Sequence, residues 1–354
     1  MRGDSSLARA PTIAGFDSAV RRRRLLAAGL ALATVALTLM GLAIGTEGLS
    51  WSALIADFTG DQAALIVGQI RAPRTIGAFE VGALLGLSGA VAQSLFRNPL
   101  ADPYLLGSAS GAGLAVVLVL AASSLVGNVV SLETAQALAQ LGLVAAAFIG
   151  ALGGVTLTLA ISQGTANTLR LLLGGVVVGV VLVSLSDLIT TVAPDALRGK
   201  QMFMLGSTGF LGWSSVGTLS AGLAVVVPAA VRFARFLDAM TLGEETVASL
   251  GLNPTRVHVY LVVLLALATG ISVSQSGVVA FVGLVSPHLV RRYAPSASAY
   301  LLAASAAAGG VLLLGADVVA RAAIAPQELP VGVVTALVGG GYLIWLLHRR
   351  SRRS

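Results

Sequence analysis

Ten apolar runs, at 25–44, 75–96, 105–126, 135–161, 169–193, 214–231, 257–276, 278–290, 300–322 and 331–347, take up most of the chain. A soluble core of this size has no use for so many runs of about 20 apolar residues, whereas that length matches the hydrocarbon thickness of a bilayer. In lipid the backbone must satisfy its own N–H and C=O groups, and helices do so within one segment. The runs therefore predict an all-α polytopic membrane protein of about ten transmembrane helices. The composition agrees, with 56% hydrophobic residues, 10% charged residues and a mean hydropathy of +0.92 over 354 residues. The run 278–290 is short for a perpendicular crossing, so it is expected as a short or broken span whose irregular backbone is covered by neighbours.

Arg21–Arg24 directly precede the first run, which is long for a signal core and is read as an uncleaved first span. This divides the chain into an N-terminal tail (1–24), one transmembrane domain (25–348) and a basic tail (349–354). Ten spans starting inside put 17 of the 22 Lys and Arg residues on the inner side, which fits the positive-inside rule with both termini cytoplasmic. The net charge of +7 thus reflects topology and anionic lipid rather than nucleic acid. The chain has no Cys and only His258, His288 and His348, which excludes thiolate chemistry and leaves no catalytic or metal-binding constellation. Lys200 is the sole lysine and is followed by Gln201, so no phosphate-binding loop exists and no cofactor is expected on this chain.

Several polar features need explanation. Arg232–Thr255 reads RFARFLDAMTLGEETVASLGLNPT between two apolar runs, and is expected as short cytoplasmic helices closing at Gly251-Leu252-Asn253-Pro254. A block of this kind serves either as a solvated amphipathic loop or as a surface for another protein. Arg71-Ala72-Pro73-Arg74 opens the second span from outside, against the inside bias. Its arginines either snorkel to the interface or, as exposed guanidinium forks, recognise carboxylates. Asp317 and Arg321 lie one helical turn apart near the outer end of the ninth span, where an i,i+4 pair lowers the cost of both charges. Glu80 and Asp187 fall inside the second and fifth spans. Intramembrane acids face a pathway or find an inter-helix partner such as Ser or Thr.

RAPRT (71–75), RNPLADP (97–103), LGSASGAG (106–113), LGEETVASLGL (242–252), FVGLVSPHLVRR (281–292), ADVVAR (316–321) and ELPVGVVTALVG (328–339) occur in this order. With these motifs the chain resembles the ten-helix permease subunits of ABC importers for ferric siderophores, haem or vitamin B12, from residue 71 to 347. The resemblance implies that Gly243, Glu244, Glu245, Ala248, Leu250 and Gly251 contact a separate ATPase subunit, which holds the ATP. It implies that Arg71, Arg74 and Arg321 dock an extracytoplasmic substrate-binding protein. It further implies two ATP-binding subunits, a second permease copy or paralogue, and residence in a bacterial inner membrane. The expected function is transport with no chemistry of its own, ferric siderophore being the expected cargo and Glu80 and Asp187 candidate pathway residues. The alternative is an ion-coupled secondary transporter or channel, for which no internal repeat is apparent.

Overall fold

The computed structural model describes residues 13–45, 48–49, 65–126, 132–164, 168–241 and 253–351. Among these, eleven helices follow in chain order: α1 (Ile13–Ala43), α2 (Ala72–Leu95), α3 (Ser108–Val126), α4 (Leu132–Ile161), α5 (Thr168–Val192), α6 (Asp195–Leu205), α7 (Trp213–Thr241), α8 (Pro254–Ser276), α9 (Val282–Tyr293), α10 (Ser298–Ala322) and α11 (Val331–Ser351). Each apolar run has its helix, and seven of these helices are long and apolar enough to cross a membrane. The chain is a polytopic all-α membrane protein, whose only strands among the described residues are the two-residue pair Ile44–Gly45 and Gly48–Leu49.

Three departures from the sequence reading have local causes. The amphipathic helix α6 lies in what reads as a plain outer loop; at eleven residues it is too short to register as an apolar run. The polar block does not begin as separate short helices. Instead α7 runs on through Arg232, Arg235 and Asp238 to Thr241, because Ala234, Leu237 and Ala239 continue its buried face. Asn253-Pro254 starts α8, with the Asn253 side chain accepting from the N–H groups of Thr255 (3.0 Å) and Arg256 (3.3 Å) and Pro254 at the first helical position. The N-terminal boundary also shifts, since α1 already includes Arg21–Arg24.

Helix α2 is the axis of the molecule: 20 of its 24 residues are buried, and α7, α8, α9 and α10 all pack on it. In lipid no hydrophobic drive separates one apolar helix from another, so close backbone approach through small residues supplies the attraction. A Cβ on Gly82 would fall 2.3 Å from the Gly309 carbonyl oxygen, one on Gly86 2.1 Å from that of Ser305, and one on Gly89 1.7 Å from that of Gly283. The small-residue start of α3 acts likewise toward α4, where a Cβ on Gly111 would meet the Gly150 oxygen at 2.1 Å. Helices α3, α4 and α5 form a second group, with α5 at the rim.

The run 278–290, expected as a short or broken span, forms the twelve-residue helix α9, in which Val282–Pro287 and Val290 are buried. The turn before it contains Gly277 and Phe281 at positive φ, 69° and 68°. Its backbone is satisfied by neighbours: Val278 N–H donates to the Phe203 carbonyl at the end of α6 (2.9 Å), and the Tyr104 hydroxyl donates to the Val279 carbonyl (3.2 Å).

Candidate functional site

Of the three arginines expected to dock a partner protein, two are buried and the third is half-buried. Arg74 and Arg321 are 8% and 4% exposed and share one buried carboxylate. Arg74 Nε donates to Asp317 Oδ1 (3.0 Å) and Arg321 Nη2 to Asp317 Oδ2 (2.6 Å), while Thr208 Oγ1 adds a third bond to Oδ1 (2.6 Å). Arg74 Nη1 also donates to both oxygens of Glu328, at 2.9 and 2.8 Å. Arg321 Nη1 reaches the Gly41 carbonyl of α1 at 2.7 Å. Two guanidinium groups and two carboxylates neutralise each other where lone charges would be costly to bury. Arg71 lies at the half-buried edge of this network and donates to the Leu42 carbonyl (3.1 Å). The i,i+4 pair Asp317–Arg321 was legible in the sequence. Glu328 and Thr208 were not, since Glu328 bonds Arg74 from 254 residues away and Thr208 bonds Asp317 from 109.

The two intramembrane acids have different surroundings. Glu80 is 8% exposed and accepts from Ser220 Oγ of α7, so it joins two helices of the same chain. Its other oxygen is buried without a hydrogen-bond partner among the described residues. A Glu80→Gln variant should keep the Ser220 bond, with uptake within about twofold of wild type in a radiolabelled-cargo assay; Glu80→Leu removes the acceptor and should lower the thermal midpoint in detergent, by about 1 kcal/mol of stability. Asp187, by contrast, projects from α5 with a side chain 65% exposed and pairs with Lys200 of α6. Nothing in the sequence reading linked these two, though they are only 13 residues apart.

Helix α5 is the least covered helix around this pair, with only 17% of its apolar window buried. Its outward side carries Val176, Val177, Val180 and Val181, then Ser184, Asp187 and Thr191. Between this side and the turn preceding α3 lies a concavity of about 450 Å³, lined by Asp102, Tyr104, Ser110, Gly179 and Ser184 among others. Asp102 caps the 3-10 turn Pro103–Leu106 by accepting from the Tyr104 N–H (2.8 Å). Burial pushes its carboxyl up to about 6, the Tyr104 N–H opposing that shift.

Of the polar block, the described part is fixed to α10: Asp238 accepts from the Ser298 N–H (2.9 Å) and hydroxyl (2.7 Å), capping that helix from α7. Arg232 and Arg235 are exposed. Gly243, Glu244, Glu245, Ala248, Leu250 and Gly251 lie outside the described residues.

Comparison with known proteins gives a consistent picture. The model of the FecCD transport family matches residues 32–349. The hemin transport system permease protein HmuU of Yersinia pestis is 37% identical over 337 residues, 94% of this chain and 98% of that protein. The vitamin B12 import system permease protein BtuC of Salmonella paratyphi A is 36% identical over 324 residues, 91% of this chain and 94% of that one. A solved structure described as an inward-facing conformation of a metal-chelate type ABC transporter superposes with a TM-score of 0.80 at 25% identity, covering 92% of this chain and 99% of that chain.

Proposed function

Because the chain belongs to the FecCD transport family, we propose that it moves a metal-centred chelate across a bacterial inner membrane as one of a pair of permeases. As a permease subunit of an ABC importer it is not itself an enzyme; hydrolysis of ATP belongs to a separate subunit. The observation that carries the choice of cargo is that similar proteins covering nearly the whole chain are named for hemin and for vitamin B12. Haem, a corrinoid or a ferric siderophore fits that class.

In this reading two ATP-binding subunits bear on Gly243, Glu244, Glu245, Ala248, Leu250 and Gly251, and a substrate-binding protein docks at the outer end. Of the three docking arginines Arg71 is the least buried, while Arg74 and Arg321 shape the platform beneath it through Asp317 and Glu328. The route follows the open side of α5 past Asp187, the exposed acid among the two intramembrane candidates, with a second permease copy or paralogue closing the other side. Glu80 stands off that route, bonded inside the helix bundle. ATP binding shifts the balance of two conformations only through contacts that differ between them, so the cytoplasmic block is where coupling must act.

The test is a pull-down of the tagged protein from mild detergent. An ATP-binding subunit should co-purify with the wild type and be lost from Glu244→Arg/Glu245→Arg, which should abolish uptake while inserting normally into membranes. A double variant with wild-type uptake would remove the coupling role. A wild-type protein that comes down alone and still moves solute without ATP would remove the importer reading for this chain.

A further inference from the structure

The concavity between α5 and the turn before α3 holds a carboxylate with an unused face. Asp102 spends one oxygen on the Tyr104 N–H, and no described residue gives it a second hydrogen bond or a cationic partner. Asp102 and Tyr104 are the titratable groups lining the hollow; the Tyr104 hydroxyl is turned away to the Val279 carbonyl. Ser110 floors it, its Oγ 3.6 Å from where a Cβ on Gly179 would stand, and Ser184 forms part of the wall. One helical turn beyond Ser184 stands Asp187, neutralised by Lys200. The hollow therefore presents one negative charge with no counter-ion among the described residues, beside Ser110 and Ser184 and an otherwise apolar wall that includes Leu105, Val176, Val180 and Val183, on the side of the molecule where α5 carries Asp187.

We propose that this hollow is a transit site on the import route, and that Asp102 selects there for chelates presenting amine, ammonium or amide N–H groups over chelates presenting free carboxylates. The inference rests on the permease reading above and narrows its cargo. A carboxylate lacking a counter-ion in a partly dehydrated hollow attracts donors and cations and repels anions across several ångströms, because screening there is weak. The same carboxylate also explains why the site is tunable: it is charged above about pH 6 and neutral below, so preference for cations should fade as pH drops through that value.

The absence of cysteine makes a direct test available. Ser110→Cys places one thiol on the floor of the hollow, and the permease–ATPase complex in liposomes is then treated with a trimethylammonium or a sulfonate methanethiosulfonate reagent. The ratio of the two rates cancels thiol ionisation. With Asp102 present the cationic reagent should react about tenfold faster at pH 7.5, by the Coulomb interaction of one charge at this range. The ratio should fall to about two in Asp102→Asn, which keeps the oxygen that caps Tyr104 and removes only the charge, and in the unaltered background at pH 5. Asp187→Asn should leave it within about twofold. A thiol closed to both reagents places the hollow against lipid and overturns the proposal, as does a ratio near one with Asp102 present or a preference that survives Asp102→Asn. Co-purification of the ATPase subunit is scored separately, so failure of the selectivity claim is distinguishable from failure of the importer reading.

Discussion

Asp317→Asn should cost about 3–5 kcal/mol of stability, the usual consequence of removing one partner from a buried charge cluster. The side chain is wholly buried and receives Arg74, Arg321 and Thr208, so the substitution leaves two guanidinium groups facing an amide that accepts on one atom and donates from the other. Glu328 hydrogen-bonds Arg74 but not Arg321, which is left with backbone carbonyls as its hydrogen-bond partners. Both arginines are fixed by packing, so neither escapes to water without opening the outer ends of α2 and α10. The measurement is the loss of monodisperse protein on heating in detergent, with Glu328→Gln as the comparison. Glu328 has a side chain 35% exposed and solvent takes over part of its role, so that change should cost about 0–1 kcal/mol. Equal midpoints for Asp317→Asn and Glu328→Gln would show that the cluster is not held by Asp317. Restoration by Asp317→Asn/Arg321→Leu would identify the orphaned charge as the cause.

The helices were legible because their signal is long and redundant: losing one Leu from a run of twenty changes nothing about its reading. The intramembrane pair at Asp317 and Arg321 was legible for the same reason, being local to one helical face. What escaped was whatever depends on two distant segments meeting. Arg74 opposes the inside bias, which reads as exposure, yet Asp317 is 243 residues away and turns that arginine inward. Asp102 reads as part of a rigid Asn/Asp/Pro turn, and so it is; that it also lines a hollow beside α5 requires knowing how α5 lies. Lys200 stood out as the only lysine, but its partner Asp187 becomes visible only once α6 packs on α3 and brings Lys200 beside α5.

The ends of α10 connect these observations. Its first residue is capped by Asp238, near the end of α7, and its last turns carry Asp317 and Arg321. One helix thus has one end fastened to the end of α7 and the other to the arginine cluster. Under the coupling role proposed for 242–252, a movement passed to the end of α7 reaches α10, a single helix, which suits the proposed transmission of an event between the two membrane faces.

Gly89→Ala should be the most damaging glycine-to-alanine change among the described residues, costing about 1–3 kcal/mol at least, because overpacking in a close-packed interior forces backbone to move. The added carbon would stand 1.7 Å from the Gly283 carbonyl oxygen and 2.8 Å from the Gly283 Cα, so no rotamer change relieves it. Helix α9 must retreat from α2, and Pro103, which packs on Gly283, retreats with it. That second displacement moves the turn holding Asp102, so uptake should fall further than the loss of folded protein accounts for. The control is Gly29→Ala on α1, where nothing lies within 4 Å of the new carbon and the higher helix propensity of alanine should leave stability equal or raised. Both variants are compared by thermal midpoint in detergent and by uptake per folded molecule. If Gly89→Ala matches Gly29→Ala in both, the contact of α2 with α9 yields without cost and cannot be what fixes the short span. If stability falls but uptake per folded molecule holds, the packing claim stands and the turn at Asp102 is mechanically independent of α9.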